Sequence, residues 1–161
     1  MPASSLQRFH AAQADPVQGY AAALAEIRST GKRTHWVWYI FPQLAGLGHS
    51  PEARRYGLAG RVEARAYLAD ARLRSRLLEI TTAVAEQLEQ GEPLPKIMGS
   101  PIDVLKLVSS LTLFEQVSRE LQAEAANAEF AALTQVSERV LTFAAAEGHD
   151  RCAFTRRALS E

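Results

Sequence analysis

Two segments of the chain combine reactive side-chain types with heavy apolar surroundings. In Asp103–Phe114, DVLKLVSSLTLF, one lysine and two adjacent serines interrupt an aliphatic run. On a helix Asp103, Lys106 and Ser110 share a narrow strip at i, i+3 and i+7, with Ser109 at its edge. An ammonium group flanked by hydroxyls can hold an anionic or hydroxyl-bearing ligand, and a lysine that deprotonates a serine makes a nucleophilic dyad. In the second segment, His35–Gln43, HWVWYIFPQ, both tryptophans stand beside Tyr39 and Phe41, so four of the chain's twelve aromatics fall within six residues. Trp36 or Trp38 can wall a pocket there, with His35 and Gln43 supplying polar contacts. Each segment also has a plainer account. The rings can be core, because large aromatics act mostly through buried area. Asp103 and Lys106 can pair, with Ser109 and Thr112 bonding carbonyls one turn back.

Other candidate sites are weaker. The loop Leu44–Ser50, LAGLGHS, precedes a helix start, where backbone N–H groups can face an anion. Its glycine spacing is neither a P-loop nor a dinucleotide fingerprint. His149 and Cys152 are spaced as two metal ligands, but His10 and His49 stand apart and a structural zinc site takes four. No metal and no cofactor is expected. Arg151, Arg156 and Arg157 read as a solvated face.

The elements that must position these residues are helical. Alanine, leucine, glutamate and arginine dominate, and β-branched runs are rare. Asp15-Pro16, Ser50-Pro51 and Ser100-Pro101 each pair an N-cap residue with proline at the first helical position. Asp70 and Asn127 cap two more helices, and Gly31 stops the one opened at Asp15. Leu73, Leu77, Ile80, Val84 and Leu88 make a stripe at helical spacing, ended by the linker Gly91–Pro95. The apolar residues of Pro101–Ser118, Leu105 among them, cover well over half its circumference, which predicts a largely buried helix. Thr34–Phe41 has strand propensity but no partner strand, and an unpaired strand leaves its backbone unsatisfied. A short helix ended by Pro42 is therefore predicted. The expectation is an all-α fold of seven or eight helices, a single domain over 1–161.

Composition narrows the partners. Lys+Arg and Asp+Glu are 18 each, so there is no global field to draw in nucleic acid or an anionic membrane. No apolar run reaches membrane-spanning length, and MPASSLQRFH lacks the form of a secretory signal. Cys152 is the single cysteine, so no intramolecular disulfide forms. A soluble cytoplasmic protein is expected, and oligomeric state is not legible.

With those segments in view, the chain resembles the family called domain of unknown function 1810. The resemblance is carried by Phe9 and Gln13 in RFHAAQ, Tyr20, Gly31, HWVWYIFPQLAGLG, Ser50, Tyr56, Glu63–Leu68 and DVLKLVSSLTLF. It implies a compact, mainly helical domain and brings no activity, cofactor or catalytic residue. Some relatives carry the label calpastatin, which implies a disordered inhibitor. A chain that is 47% hydrophobic and strongly periodic argues against that label.

The functional expectation is a pocket between the aromatic segment and helix 101–118 that takes a small anionic or nucleotide-like molecule. His35, Gln43, Lys106, Ser109 and Ser110 would contact it and Trp36 or Trp38 would stack on it. The alternatives are a protein-interaction module without chemistry, and a hydrolase or transferase using Lys106 with Ser109 or Ser110. Sequence alone does not decide whether the protein is an enzyme.

Overall fold

The computed structural model describes residues 4–29, 31 and 34–161. Its helices are α1 (Ser4–Gln13), α2 (Tyr20–Arg28), α3 (Val37–Ile40), α4 (Pro51–Tyr56), α5 (Arg61–Ala69), α6 (Ala71–Glu89), α7 (Leu94–Met98), α8 (Pro101–Glu124), α9 (Ala128–Ala146) and α10 (Ala153–Ser160). Among the described residues there is no strand, only an isolated parallel bridge between Leu44 and Leu58. The all-α expectation holds, with ten helices in place of seven or eight. The extra ones are short. Helix α7 has five residues and sits in the predicted linker, started by Pro93 and Pro95. A helix of one turn carries no periodic stripe, so sequence periodicity passes over it.

The predicted caps explain most boundaries. The side chains of Ser50, Asp70, Ser100 and Asn127 accept the N–H groups of Ala53, Leu73, Asp103 and Glu129 at 2.8–3.1 Å. Asp15 departs from the pattern: its carboxylate accepts from Val17 and Gln18 at 2.8 and 2.9 Å and closes a turn. Helix α2 begins only after Gly19, where an added Cβ would lie 2.1 Å from the Asp15 carbonyl oxygen. That close approach lets the chain reverse between α1 and α2. The Gly31 N–H then bonds the Glu26 carbonyl, closing α2 as predicted.

Helix α8 is the central rod. It packs along α9 and meets α5, α7, α10 and α3 at other points, while α6 lies against α9 and α2. Leu107 through Glu115 are all buried. The first turn of α8 is different: Ile102 is 65% and Leu105 53% exposed, so Leu105 is not the buried residue predicted. Among the described residues, α3, α7, the loop leading into α4 and the segment before α10 stand around this end and leave a cleft beside it.

Buried polar links set the remaining geometry. Glu63 of α5, 3% exposed, accepts from the Arg8 guanidinium on both oxygens at 3.1 Å and from the Ala59 N–H at 2.9 Å. Arg8 also donates to the Gly57 carbonyl, tying α1 to the end of α4. Glu115 of α8 accepts from Arg151 at 2.9 and 2.7 Å, so Arg151 is a structural clamp rather than part of a solvated face. The cause is the burial of Glu115, whose carboxylate needs charge-assisted donors.

Candidate functional site

The aromatic turn is held from behind by α1 and α2. Glu26 accepts from the Thr34 N–H at 3.0 Å, the Thr34 hydroxyl at 2.7 Å and the Trp36 indole N–H at 3.0 Å. Gln13 donates to the Tyr39 carbonyl at 2.8 Å, and the Tyr39 hydroxyl donates to the Gln18 carbonyl at 2.5 Å. Burial, with Tyr56, Asp15 and Glu26 nearby, pushes the Tyr39 hydroxyl up to about 12, so it keeps its proton as that donor.

At about 100° per residue, side chains two apart on a helix point some 200° apart. Trp36 and Trp38 therefore face opposite ways. Trp36 is fully buried against Glu26 and Phe41 and lines none of the cavities beside α8. Trp38 is half-buried and faces α8, where the Lys106 ammonium sits 4.7 Å from its ring centroid. The expected pair of tryptophans is thus reduced to Trp38.

Lys106 is the hub. Its ammonium lies 3.7 Å from Asp103 of the same helix, as the spacing predicts. It lines three adjoining spaces. A cavity of about 510 Å³ is bounded by Gln43, the Leu47–Ser50 loop, Ala53 of α4, Ile102, Leu105, Val108 and Ser109 of α8, and Asp150 and Cys152 beyond α9. A second of about 320 Å³ joins Lys106 to His35, Trp38, Asp103 and the Met98–Ser100 turn. A small recess between them is walled by Trp38, Phe41, Gln43 and Tyr56. His35 and Lys106 therefore share one recess, although His35 itself is exposed, its ring 6.5 Å from that of Trp38.

Gln43 has an unusual environment. It is only 8% exposed, lines both the large cavity and the small recess, and its carboxamide, which is not sealed from solvent, makes no hydrogen bond to another described residue. Its backbone, by contrast, is pinned: the Leu58 N–H donates to its carbonyl at 2.9 Å. Gly57 makes that bridge possible, since a Cβ there would stand 2.9 Å from both the Ala45 Cα and the Ala53 carbonyl oxygen. The Trp38 indole nitrogen is also buried with no acceptor.

The two serines separate. Ser109 lines the large cavity, and its hydroxyl donates to the Leu105 carbonyl at 2.9 Å. Ser110, one residue on, turns into the core, where it is fully buried and its hydroxyl has no partner. It does not reach the cleft predicted for it.

Sequence reading passed over Cys152 as a cleft residue. It lines the large cavity at the start of α10. The Thr112 hydroxyl accepts the Cys152 N–H at 3.1 Å, and the Arg151–Glu115 clamp precedes it. Burial pushes the thiol's pKa up, but the polar surroundings supplied by Thr155, Ser109 and the backbone of Thr155 and Phe154 outweigh it and bring the thiol below its ordinary value. Nothing in the local sequence marks this; the Arg151–Glu115 contact, 36 residues apart, and the Cys152–Thr112 bond bring the cysteine to α8. Among the described residues, no group of three His, Cys, Asp or Glu side chains is placed to hold a metal ion. No helix among them is long and apolar enough to cross a membrane.

The family described as "Protein of unknown function (DUF1810)" matches residues 3–139. The chain belongs to that family. This DUF1810 protein is also similar to a solved structure, the conserved hypothetical protein Rv1873 from Mycobacterium tuberculosis. The two are 38% identical over 97% of this chain and 94% of the other, with a TM-score of 0.68. No curated protein matches it.

Proposed function

We propose that this DUF1810 protein binds a small anionic molecule in the cleft between the aromatic turn and the first half of α8. The observation that carries the reading is the Gln43 carboxamide. It has no partner among the described residues and opens onto the cavity, so its donors and acceptor are free for a bound molecule. Here it borders a cavity of about 510 Å³ together with a lysine, a volume in the range of small-molecule sites. Lys106 pairs with the anionic group, the Gln43 amide gives a hydrogen bond, the Ser109 oxygen can accept one from a ligand hydroxyl, and Ile102 and Leu105 offer apolar surface at the mouth. One face of Trp38 is already covered by the Lys106 ammonium, so its ring serves as the lysine's platform more than as a stacking surface for a ligand. The geometry favours an anion over a nucleotide base. It also favours binding over Lys–Ser chemistry, because Ser109 gives its proton to a carbonyl and Ser110 faces the core.

The test is a thermal-shift series with orthophosphate, pyrophosphate, AMP and small carboxylates on wild type and Lys106→Gln. A ligand at a hundredfold excess over Kd adds about 2.7 kcal/mol, roughly 5–10 °C for a domain of this size. The expected result is a shift for at least one anion, lost in the variant. No shift for any anion, or an equal shift in Lys106→Gln, would refute the assignment.

A further inference from the structure

The large cavity is bordered by a second charge, to which the proposed function assigns no role. Asp150, in the segment between α9 and α10, lines it together with Lys106. The backbone on either side of Asp150 is held. The His149 N–H donates to the Ala144 carbonyl at 2.8 Å, Arg151 is clamped on Glu115, and the Cys152 N–H donates to the Thr112 hydroxyl at 3.1 Å. The Asp150 carboxylate is thus presented from a fixed segment, yet it makes no hydrogen bond or ion pair with another described residue. It does not reach Lys106, whose ammonium has its carboxylate neighbour in Asp103 at 3.7 Å. One cavity therefore carries a cation and an anion that do not touch. The Gln43 carboxamide, 8% exposed, opens onto the same space with its N–H donors and its carbonyl unused among the described residues. It belongs to the Lys106 end, since the two residues also share the small recess. Much of the remaining wall is aliphatic, with Leu47, Ile102, Leu105 and Val108.

Resting on the anion-binding reading of this cleft, we propose that its ligand is a dipeptide with aliphatic side chains and both termini free. The terminal carboxylate is the anionic group that meets Lys106, and the terminal ammonium meets Asp150. The peptide group between them meets Gln43. A side-chain carboxamide and a peptide group are complementary, because each has an N–H to give and a carbonyl to receive. The aliphatic side chains cover Ile102 and Leu105, which are 65% and 53% exposed in the empty cleft, and so remove apolar surface from water. A free amino acid is too short. Its two charges share one carbon, and protein groups close enough to hold both would pair with each other. Orthophosphate or a simple carboxylate engages Lys106 but leaves Asp150 and the aliphatic wall without a partner.

The experiment is titration calorimetry of the full chain near neutral pH with three ligands of one shape. These are leucyl-leucine, leucyl-leucinamide, which lacks the carboxylate, and 4-methylpentanoyl-leucine, in which hydrogen replaces the ammonium. Leucyl-leucine should bind most tightly. Loss of the ammonium should raise Kd about threefold, as for an ion pair open to water. Loss of the carboxylate should raise it about tenfold or more, because a charge-assisted hydrogen bond goes with it. Asp150→Asn should bind leucyl-leucine and its des-amino analogue alike, and Lys106→Gln should bind leucyl-leucine and its amide alike. Both replacements are at positions open to solvent, and an unchanged melting temperature shows that each variant is folded. Equal wild-type affinity for leucyl-leucine and the des-amino analogue, with both weakened in Lys106→Gln, overturns the ammonium end and leaves the anion site standing. Equal affinity for leucyl-leucine and its amide, unaltered in Lys106→Gln, overturns the anion site and the peptide together. Failure of leucyl-leucine to bind overturns the peptide alone, and the orthophosphate shift then decides the anion site by itself.

Discussion

Of the three buried glutamines among the described residues, Gln13 and Gln43 make a pair whose substitution by leucine should move stability in opposite directions. Gln43 is 8% and Gln13 3% exposed, but Gln43 still opens onto the cavity while Gln13 is enclosed by protein. Gln13 is fully used: its amide donates to the Tyr39 carbonyl at 2.8 Å and the Tyr67 hydroxyl at 3.2 Å, and its carbonyl accepts from Arg76 at 3.3 Å. Removing it strands a buried carbonyl and a buried phenol. Each stranded group costs about 1–3 kcal/mol, so Gln13→Leu should lose at least about 2 kcal/mol. Gln43 has no protein partner to strand, and leucine has a similar volume. Gln43→Leu removes a polar group that only cavity water satisfies and should gain up to about 1 kcal/mol. For a domain of this size that is roughly 2–4 °C in melting temperature. Urea unfolding at constant m-value measures both variants, with the scanning melt as a second readout. Were Gln43→Leu to lose 1 kcal/mol or more at unchanged m, the carboxamide would be part of the fold's own network. The reasoning that it is reserved for a ligand would then fail.

Other perturbations report on the frame around the cleft. Glu63→Ala takes the carboxylate from beside Arg8 in a nearly dry site and should cost about 3 kcal/mol or more by denaturant unfolding. For Asp70, burial pushes the carboxyl up, but the Leu73 N–H, the neighbouring His10 and the Arg72 N–H outweigh it and hold it below the ordinary aspartate value. A depressed carboxylate stabilises the fold above its unfolded pKa and loses that contribution as pH falls through the folded value. Wild type should therefore lose stability relative to Asp70→Asn between about pH 5 and 3, in melts recorded across that window. Ser110→Ala, which removes a fully buried hydroxyl without a partner, should be neutral or stabilising by up to about 1 kcal/mol. Anion binding should be untouched by it.

Local chemistry was legible and long-range placement was not. Ser50, Asp70, Ser100 and Asn127 cap their helices because a cap needs only its own next turn. Asp15 carries the same signal yet closes a turn, because the reversal at Gly19 depends on how α1 and α2 pack. The strip of Asp103, Lys106 and Ser110 was readable as spacing, and the Asp103–Lys106 pair followed from it. Which edge of that strip faces the cleft was set by neighbours distant in sequence, and it put Ser109 outside and Ser110 inside. Trp36 and Trp38 divided for the same reason, with Glu26 drawing one indole into the core and Lys106 meeting the other. Arg151 read as surface because its partner Glu115 lies a whole helix away.

The platform that Trp38 and Asp103 make for Lys106 also bears on entropy. A lysine side chain gives up about 1.5–2 kcal/mol of rotamer freedom when it is fixed. Here much of that freedom is lost when the chain folds, since the ammonium already rests over the indole with a carboxylate on its flank. An arriving anion meets an ordered cation and is spared that loss. The same ordering makes the cleft intolerant, because the charge cannot swing to meet an anionic group presented elsewhere along the wall. Selectivity in this cleft is thus a matter of where the ligand carries its charge.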